Sequence, residues 1–150
     1  MSDNQYRQPV SVLVVVYSPD GRFLLLERCY PKGVWQSVTG GVEWGETPRQ
    51  SAIRELWEET GICISQAQLE LKDHCSQTRY TIMPQWQSRY APDTKENTEH
   101  LFSVCVPQNI DVVLAEQEHT SYCWLDAAEA MDKVFSATNR QAIAAIAGLG

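Results

Sequence analysis

The chain has 150 residues, 43% of them hydrophobic and 21% charged, enough apolar matter for one folded domain over 1–150 and inconsistent with a disordered tail or a fibrous repeat. Nineteen Asp and Glu against twelve Lys and Arg give a formal net charge of −7, which excludes a general electrostatic pull on nucleic acid or anionic lipid. Where those acids lie decides whether the charge means more than solubility.

Met1 to Pro9 is polar and carries no secretory hydrophobic stretch, and no apolar run approaches the length of a membrane span. Five cysteines (29, 63, 75, 105 and 123) are odd in number and form no C-x-x-C pair, so reduced thiols are expected rather than disulfides or a zinc site. A cytoplasmic, reducing location fits both features. Val10 to Ser18 is a β-branched run that predicts a strand covered on both faces. Ser18-Pro19-Asp20-Gly21 predicts a turn, Phe23 to Glu27 the returning strand, and Trp35 to Thr39 a short strand ahead of Gly40 and Gly41. Thr47-Pro48-Arg49-Gln50 has the form of a capping box with Pro48 at the first helical position. It predicts a helix from about Pro48 to Thr60, stopped by Gly61. Further strands are expected near Leu69–Asp73, Tyr80–Tyr90, Glu99–Val106 and Ser121–Leu125. An exposed loop over Ala91–Thr98 and a last helix over about Asn139–Ala147 complete the series. The expected class is α+β, with a mixed β-sheet between helices.

On a helical wheel of roughly 100° per residue, Ile53, Leu56 and Trp57 share one arc while Glu55, Glu58 and Glu59 share the opposite one. The apolar arc, Trp57 included, is read as the side facing the core. Three carboxylates one turn apart repel one another, by about 3 kcal/mol per pair at about 5 Å and an effective dielectric near 20. A solvated acidic face would screen much of that, and for a helix standing alone it would be as good a reading. Here a glycine loop leads into the helix, and Glu43 and Glu46 lie ahead of its start. Clustered carboxylate oxygens hold hard divalent cations, so the residues point to a Mg²⁺ or Mn²⁺ site for polyphosphate chemistry.

Gly40, five residues, Glu46, seven residues, then Arg54-Glu55-Leu56-Trp57-Glu58-Glu59-Thr60-Gly61-Ile62 resembles the Nudix box at all nine positions that its pattern fixes. The resemblance implies the Nudix fold, an α/β/α sandwich, and metal-dependent hydrolysis of a nucleoside diphosphate linked to another moiety. It implies Glu55 and Glu59 as principal metal ligands and Glu118, a loop acid after the box, as a third. Arg54 would orient the carboxylates by ion pairing, Glu46 would support the loop, and Gly40 and Gly61 would serve backbone shape. Glu58 would be a further ligand or help to activate water, and the general base stays open between Glu58 and Glu118.

Tyr6–Val15, Trp35–Gly40, Arg89–Pro92, Asn97–Glu99 and Asn139–Ile143 are similar to a bacterial branch of that family acting on dihydroneopterin triphosphate, also described as acting on dATP. The branch tends to carry serine where this chain has Gly41, and no consequence is expected. The similarity implies substrate contacts at Arg7, Arg28, Thr39, Tyr80, Thr81, Ile82, Met83 and Ser136. Each has a plainer reading: Arg7 and Arg28 as surface charges, Tyr80 and Met83 as strand residues, Ser136 as a helix cap. His74, His100 and His119 are scattered and expected to be non-catalytic, with His119 beside Glu118 having the best claim. Trp44 could shape a pocket edge, and Trp86 and Trp124 are expected in strands.

The implied partner is a small-molecule triphosphate, with no nucleic acid, no membrane and no obligate protein partner. A broader (deoxy)nucleoside triphosphate pyrophosphatase is the alternative. A Nudix-like binding module without catalysis is disfavoured by the complete set of box glutamates. Residues 40–62 hold five of the 19 acids and two of the 12 bases, so −3 of the −7 falls in this segment.

Overall fold

An unbroken succession of β-branched residues makes Val10–Tyr17 the central strand, β1, of the computed structural model, which describes residues 6–148. Around it are β2 (Arg22–Arg28), β3 (Trp35–Gln36), β4 (Val38–Gly41), β5 (Leu71–Thr81), β6 (Glu96–Cys105) and β7 (His119–Asp126). The helices are α1 (Pro48–Thr60), α2 (Ala127–Lys133) and α3 (Ala137–Ile146), with a 3₁₀ helix over Pro84–Arg89. The seven strands form one mixed sheet in the order β3-β2-β1-β6-β5, with β4 also paired to β1 and β7 to β2.

β1 runs parallel to β6 along its whole length, from Val10 opposite Thr98 to Tyr17 opposite Cys105. On its other edge β1 meets β2 only at the hairpin base, Tyr17 opposite Phe23. The two strands then splay, and β4 enters the gap antiparallel to β1, from Val14 opposite Val38 to Ser11 opposite Gly41. That splay carries Thr39, Gly40 and Gly41 onto the sheet directly ahead of α1.

Alternation along the central strands divides the core in two. Val12, Val14, Val16, Leu24 and Leu26 face one side, with Ala52 and Leu56 of α1 against them. Leu13, Val15, Phe23 and Leu25 face the other, under Ala130 of α2 and Ala142 and Ile143 of α3. Each fully buried Val or Leu contributes roughly 1.5–3 kcal/mol. The result is the expected α/β/α sandwich, with β1 covered on both faces.

Several local expectations need correction. The strand expected over Trp35–Thr39 breaks at Ser37, because the Asn139 side chain engages that residue: Ser37 N donates to Asn139 Oδ1 (2.8 Å) and Asn139 Nδ2 donates to Ser37 Oγ (2.9 Å). Beyond the break, β4 continues through both glycines. The strand expected over Tyr80–Tyr90 ends at Thr81, where Pro84, lacking an N–H for a ladder, opens the 3₁₀ helix instead. Trp86 therefore lies in that helix. The loop expected over 91–98 closes early, at the start of β6. α2, capped by Asp126 whose side chain accepts from Glu129 N (2.8 Å), went unforeseen because seven residues are too few to show a period. α3 starts two residues ahead of expectation, at Ala137.

The largest correction concerns the face that α1 presents. Trp57 is 59% exposed and Ile53 38% exposed, while Ser51, Ala52, Glu55, Leu56, Glu59 and Thr60 are buried. Small residues bring the helix close to the sheet, and the glutamates beside them go in with it. Among the described residues no helix is long and apolar enough to cross a membrane.

Candidate active site

α1 is fixed at both ends. Thr47 Oγ1 accepts from Gln50 N (3.1 Å) and Gln50 Oε1 accepts from Thr47 N (2.9 Å), a complete capping box. At the other end Gly61 adopts a left-handed conformation (φ 74°) and its N–H donates to Trp57 O (2.8 Å). So anchored, the helix lays Glu55 and Glu59 against β4. A Cβ at Gly40 would overlap the Glu55 carboxylate, so glycine there is what allows the acid onto the sheet.

Arg54 joins the loop before the helix to the acids. Its Nε donates to Glu46 Oε2 (2.8 Å) and its Nη2 to Glu46 Oε1 (2.9 Å) and Gly41 O (3.0 Å). Nη1 reaches Glu58 Oε1 at 3.2 Å and Glu55 Oε2 at 3.3 Å. Glu46 in turn accepts from Glu43 N (3.1 Å), and the Arg54 hydrogen bonds hold its pKa low. The arginine pKa is raised by the same contacts.

The two inner glutamates behave oppositely to Glu46. Burial pushes the Glu55 carboxyl up to about 7; Arg54 opposes that shift, and Glu58 and Glu118 add to it. Glu59 is 2% exposed, its Oε1 has no hydrogen-bond partner, and burial followed by repulsion from Glu55 and Glu118 raises its pKa well above the carboxylate range. A buried carboxylate oxygen without a donor is costly unless a cation reaches it. Among the described residues no three His, Cys, Asp or Glu side chains gather closely enough to enclose an ion alone. Glu55 and Glu59 thus form a two-carboxylate platform, which suits Mg²⁺ when phosphate oxygens and waters complete its shell.

A cavity of about 410 Å³ opens over this platform, and its wall includes Glu55, Glu59, Glu118, Arg7, Arg28 and Thr39. A second, of about 380 Å³, is lined by Tyr80, Thr81, Ile82, Met83 and Ser136, and shares Arg28, Thr39 and Tyr80 with the first. Glu55, Glu59, Glu118 and every substrate contact named from the sequence therefore lie on one or other of two adjoining cavities. Arg54 and Glu58, the candidate further ligand, lie on neither: Glu58 is largely exposed, and Arg54 stands between it and Glu55.

The plainer readings coexist with these positions. Ser136 does cap α3, its Oγ accepting from Asn139 N (3.0 Å). Thr39 Oγ1 donates to Val12 O (2.9 Å), Arg28 Nε to Tyr30 O (3.0 Å), and Asn97 Nδ2 to the Tyr80 hydroxyl (3.0 Å). Arg7 packs its guanidinium where Gly41 has no side chain: a Cβ there would stand 3.0 Å from Arg7 Nε. Gly41 therefore lies against Arg7 on the cavity wall, with only the mobile end of that arginine in the way of a side chain.

His119 is buried against the platform. It is 4% exposed, with Nε2 3.9 Å from Glu59 Oε1 and 3.4 Å from Gln36 Nε2, and its Nδ1 lacks a partner. Burial, with Arg28 nearby, depresses its pKa to about 4, so the ring is neutral beside the platform at neutral pH. Adjacency to Glu118 was the only signal in the chain. Trp44, exposed and donating from Nε1 to Tyr6 O (2.7 Å), and Trp86 on the cavity wall complete the picture.

The NUDIX domain family model matches residues 7–146. Dihydroneopterin triphosphate diphosphatase of Escherichia coli (strain K12) is 43% identical over 144 residues, covering 95% of this chain and 95% of that one. A Haemophilus influenzae protein of the same name is 40% identical over 140 residues, 93% of this chain and 87% of its own. Among solved structures, that of the E. coli dihydroneopterin triphosphate pyrophosphohydrolase superposes with a TM-score of 0.88 at 41% identity, covering 97% of this chain and 99% of that one. With the box complete, the sandwich formed and the match nearly end to end, the chain belongs to the NUDIX family.

Proposed function

We propose that the chain is a Mg²⁺-dependent pyrophosphohydrolase that converts dihydroneopterin triphosphate to dihydroneopterin monophosphate and pyrophosphate, with dATP as a secondary substrate. The observation that carries this reading is the pair of adjoining cavities. One sets two buried carboxylates near Arg7 and Arg28, and the other is walled by Tyr80, Ile82 and Met83 at a size that suits a fused ring. Relatives 40–43% identical over almost the whole chain, named for the pterin substrate, favour it over a general nucleotide pyrophosphatase.

In this reading Glu55 and Glu59 hold the ion, which supplies neutralisation of phosphoryl charge and a lowered pKa for an attacking water. Arg54 keeps Glu55 in place while tying the glycine loop to the helix. Arg7, Arg28 and Thr39 take phosphate oxygens, since a polyphosphate beside carboxylates needs cations from the chain as well. Glu118, on the cavity wall, is better placed than Glu58 to complete the ion's shell or accept the water's proton, because Glu58 is turned outward and engaged by Arg54. Tyr80 to Met83 and Ser136 border the ring.

The test is pyrophosphate release with Mg²⁺, with kcat/KM compared for dihydroneopterin triphosphate and dATP. A clear preference for the pterin compound is expected; a clear preference for dATP would favour the broader (deoxy)nucleoside triphosphate pyrophosphatase, and tight binding without release the non-catalytic module. Glu59→Gln should lower the Mg²⁺-dependent rate by more than about 100-fold, beyond the loss usual for an outer-shell partner.

A further inference from the structure

Glu99 is not needed for metal or phosphate in the reading above. It lies midway along β6, held in register by Ser11 of β1 on one side and Thr78 of β5 on the other. It is 8% exposed, yet it reaches the wall of the second cavity alongside Leu13, Tyr80, Ile82 and Phe135. Burial raises its carboxyl above the ordinary range, and Thr138, on the same cavity wall, opposes that shift. Among the described residues none of the ion pairs includes it. Arg28 lines the same cavity but spends its Nε on Tyr30 O.

A buried carboxylate is retained against its desolvation cost only where donors meet it. Two oxygens offer about four accepting positions, more than Thr138 could fill alone. The remaining demand opens into a cavity whose wall also includes Leu13, Ile82, Met83 and Phe135, and among the described residues no ion pair meets Glu99 there, so a ligand entering the cavity is placed to supply donors. Two N–H groups side by side satisfy a carboxylate best, in the bidentate manner that a guanidinium shows. A 2-amino-4-oxo ring, in pterin and guanine alike, presents such an edge: a ring N–H beside an exocyclic amino group. Adenine places an amino donor beside a bare ring nitrogen, whose lone pair would face the carboxylate.

We propose that Glu99 reads the 2-amino-4-oxo edge of the substrate ring, and so selects pterin or guanine triphosphates over adenine ones. The inference rests on the triphosphate hydrolysis proposed above, and it names the feature of the ring that the second cavity recognises. Tyr80, pinned through its hydroxyl by Asn97, stands next to Glu99 at the junction of the cavities and fixes one wall of the slot.

The experiment measures kcat and KM for dihydroneopterin triphosphate, dGTP and dATP, with Mg²⁺, in the wild type and in Glu99→Gln. The variant keeps the shape but turns an amide toward the ligand. The ratio of kcat/KM for dihydroneopterin triphosphate to that for dATP should narrow by about 10- to 100-fold, the usual worth of a bidentate contact in discriminating bases, with the loss carried by KM. The ratio for dGTP to dATP should narrow with it. A role confined to folding would change all three substrates together and leave both ratios intact, and unchanged ratios overturn the proposal. If the melting temperature shows that Glu99→Gln folds poorly, Glu99→Asp provides the same ratios with the carboxylate drawn back by one methylene, and unchanged ratios again overturn it. A wild type that prefers dATP to dihydroneopterin triphosphate defeats the proposed pterin substrate instead. The effect of the substitution on the dGTP to dATP ratio then decides the role of Glu99 independently.

Discussion

Gly40 and Glu55 compete for the same space, and the glycine concedes it. The first atom of any side chain at position 40 would overlap the Glu55 carboxylate, which is the flexible end of a side chain and able to move. Gly40→Ala should therefore leave the fold nearly as stable as before and displace one carboxylate of the platform. A displacement of about 1 Å at a reacting centre can cost on the order of 100-fold, so a fall of about 10- to 100-fold in Mg²⁺-dependent kcat/KM is expected, with a weaker apparent Mg²⁺ affinity. Wild-type Mg²⁺ dependence in this variant would show that Glu55 is not held where the ion binds. The platform was legible in the sequence because one helix and its leading loop carry it, at spacings the box fixes. His119, Asn97 and Glu99 were not. Their significance comes from partners far along the chain, such as Gln36 for His119 (3.4 Å) and Ser11 for Asn97 (2.7 Å), and no local spacing encodes those meetings.

α1 shows how far a periodic pattern can be trusted. Its limits, its capping box and its glycine stop were all readable, since each depends on a few neighbouring residues. Its orientation was misread. The wheel assumes that the buried face is the apolar one, whereas this helix turns Ser51, Ala52, Glu55 and Glu59 inward and leaves Trp57 largely outside. Leu56, fully buried against the β1 side of the sheet, serves both readings. The two can be separated by urea unfolding in the presence of EDTA. Leu56→Ala should lose about 2–5 kcal/mol through the cavity it leaves, while Trp57→Ala should change stability by no more than about 0.5 kcal/mol, as exposed positions do. A Trp57→Ala cost equal to that of Leu56→Ala would put the tryptophan back in the core.

The net charge of −7 takes on a different meaning once burial is known. A surplus of acids on a surface would favour solubility and little else, but Glu55 and Glu59 are buried in the one segment that carries −3. Their pKa values are raised in the folded chain, so each binds a proton more tightly there than when unfolded, where the ordinary value is 4.5. The stability associated with such groups is fully present below about pH 4.5 and is lost as pH rises through the folded value, about 7 for Glu55, with Glu59 shifted in the same direction by burial and by Glu55. His119 works in the other direction, its pKa lowered from 6.5 to about 4, so its share is lost as pH falls through that interval and is constant above it. Between about pH 6.5 and 8 the glutamates therefore govern the slope. The metal-free protein should lose melting temperature across that window more steeply than a Glu55→Gln, Glu59→Gln double variant, which removes both ionisations at the same pH. Mg²⁺ needs the ionised carboxylates, so the increment it adds to the wild-type melting temperature should grow from pH 6.5 to 8, and the double variant should show little of it. At 100 times its dissociation constant the ion would add about 2.7 kcal/mol, a readily measured shift. Equal Mg²⁺ increments at both ends of the window, or an increment that survives in the double variant, would show that the buried pair is not what the ion binds.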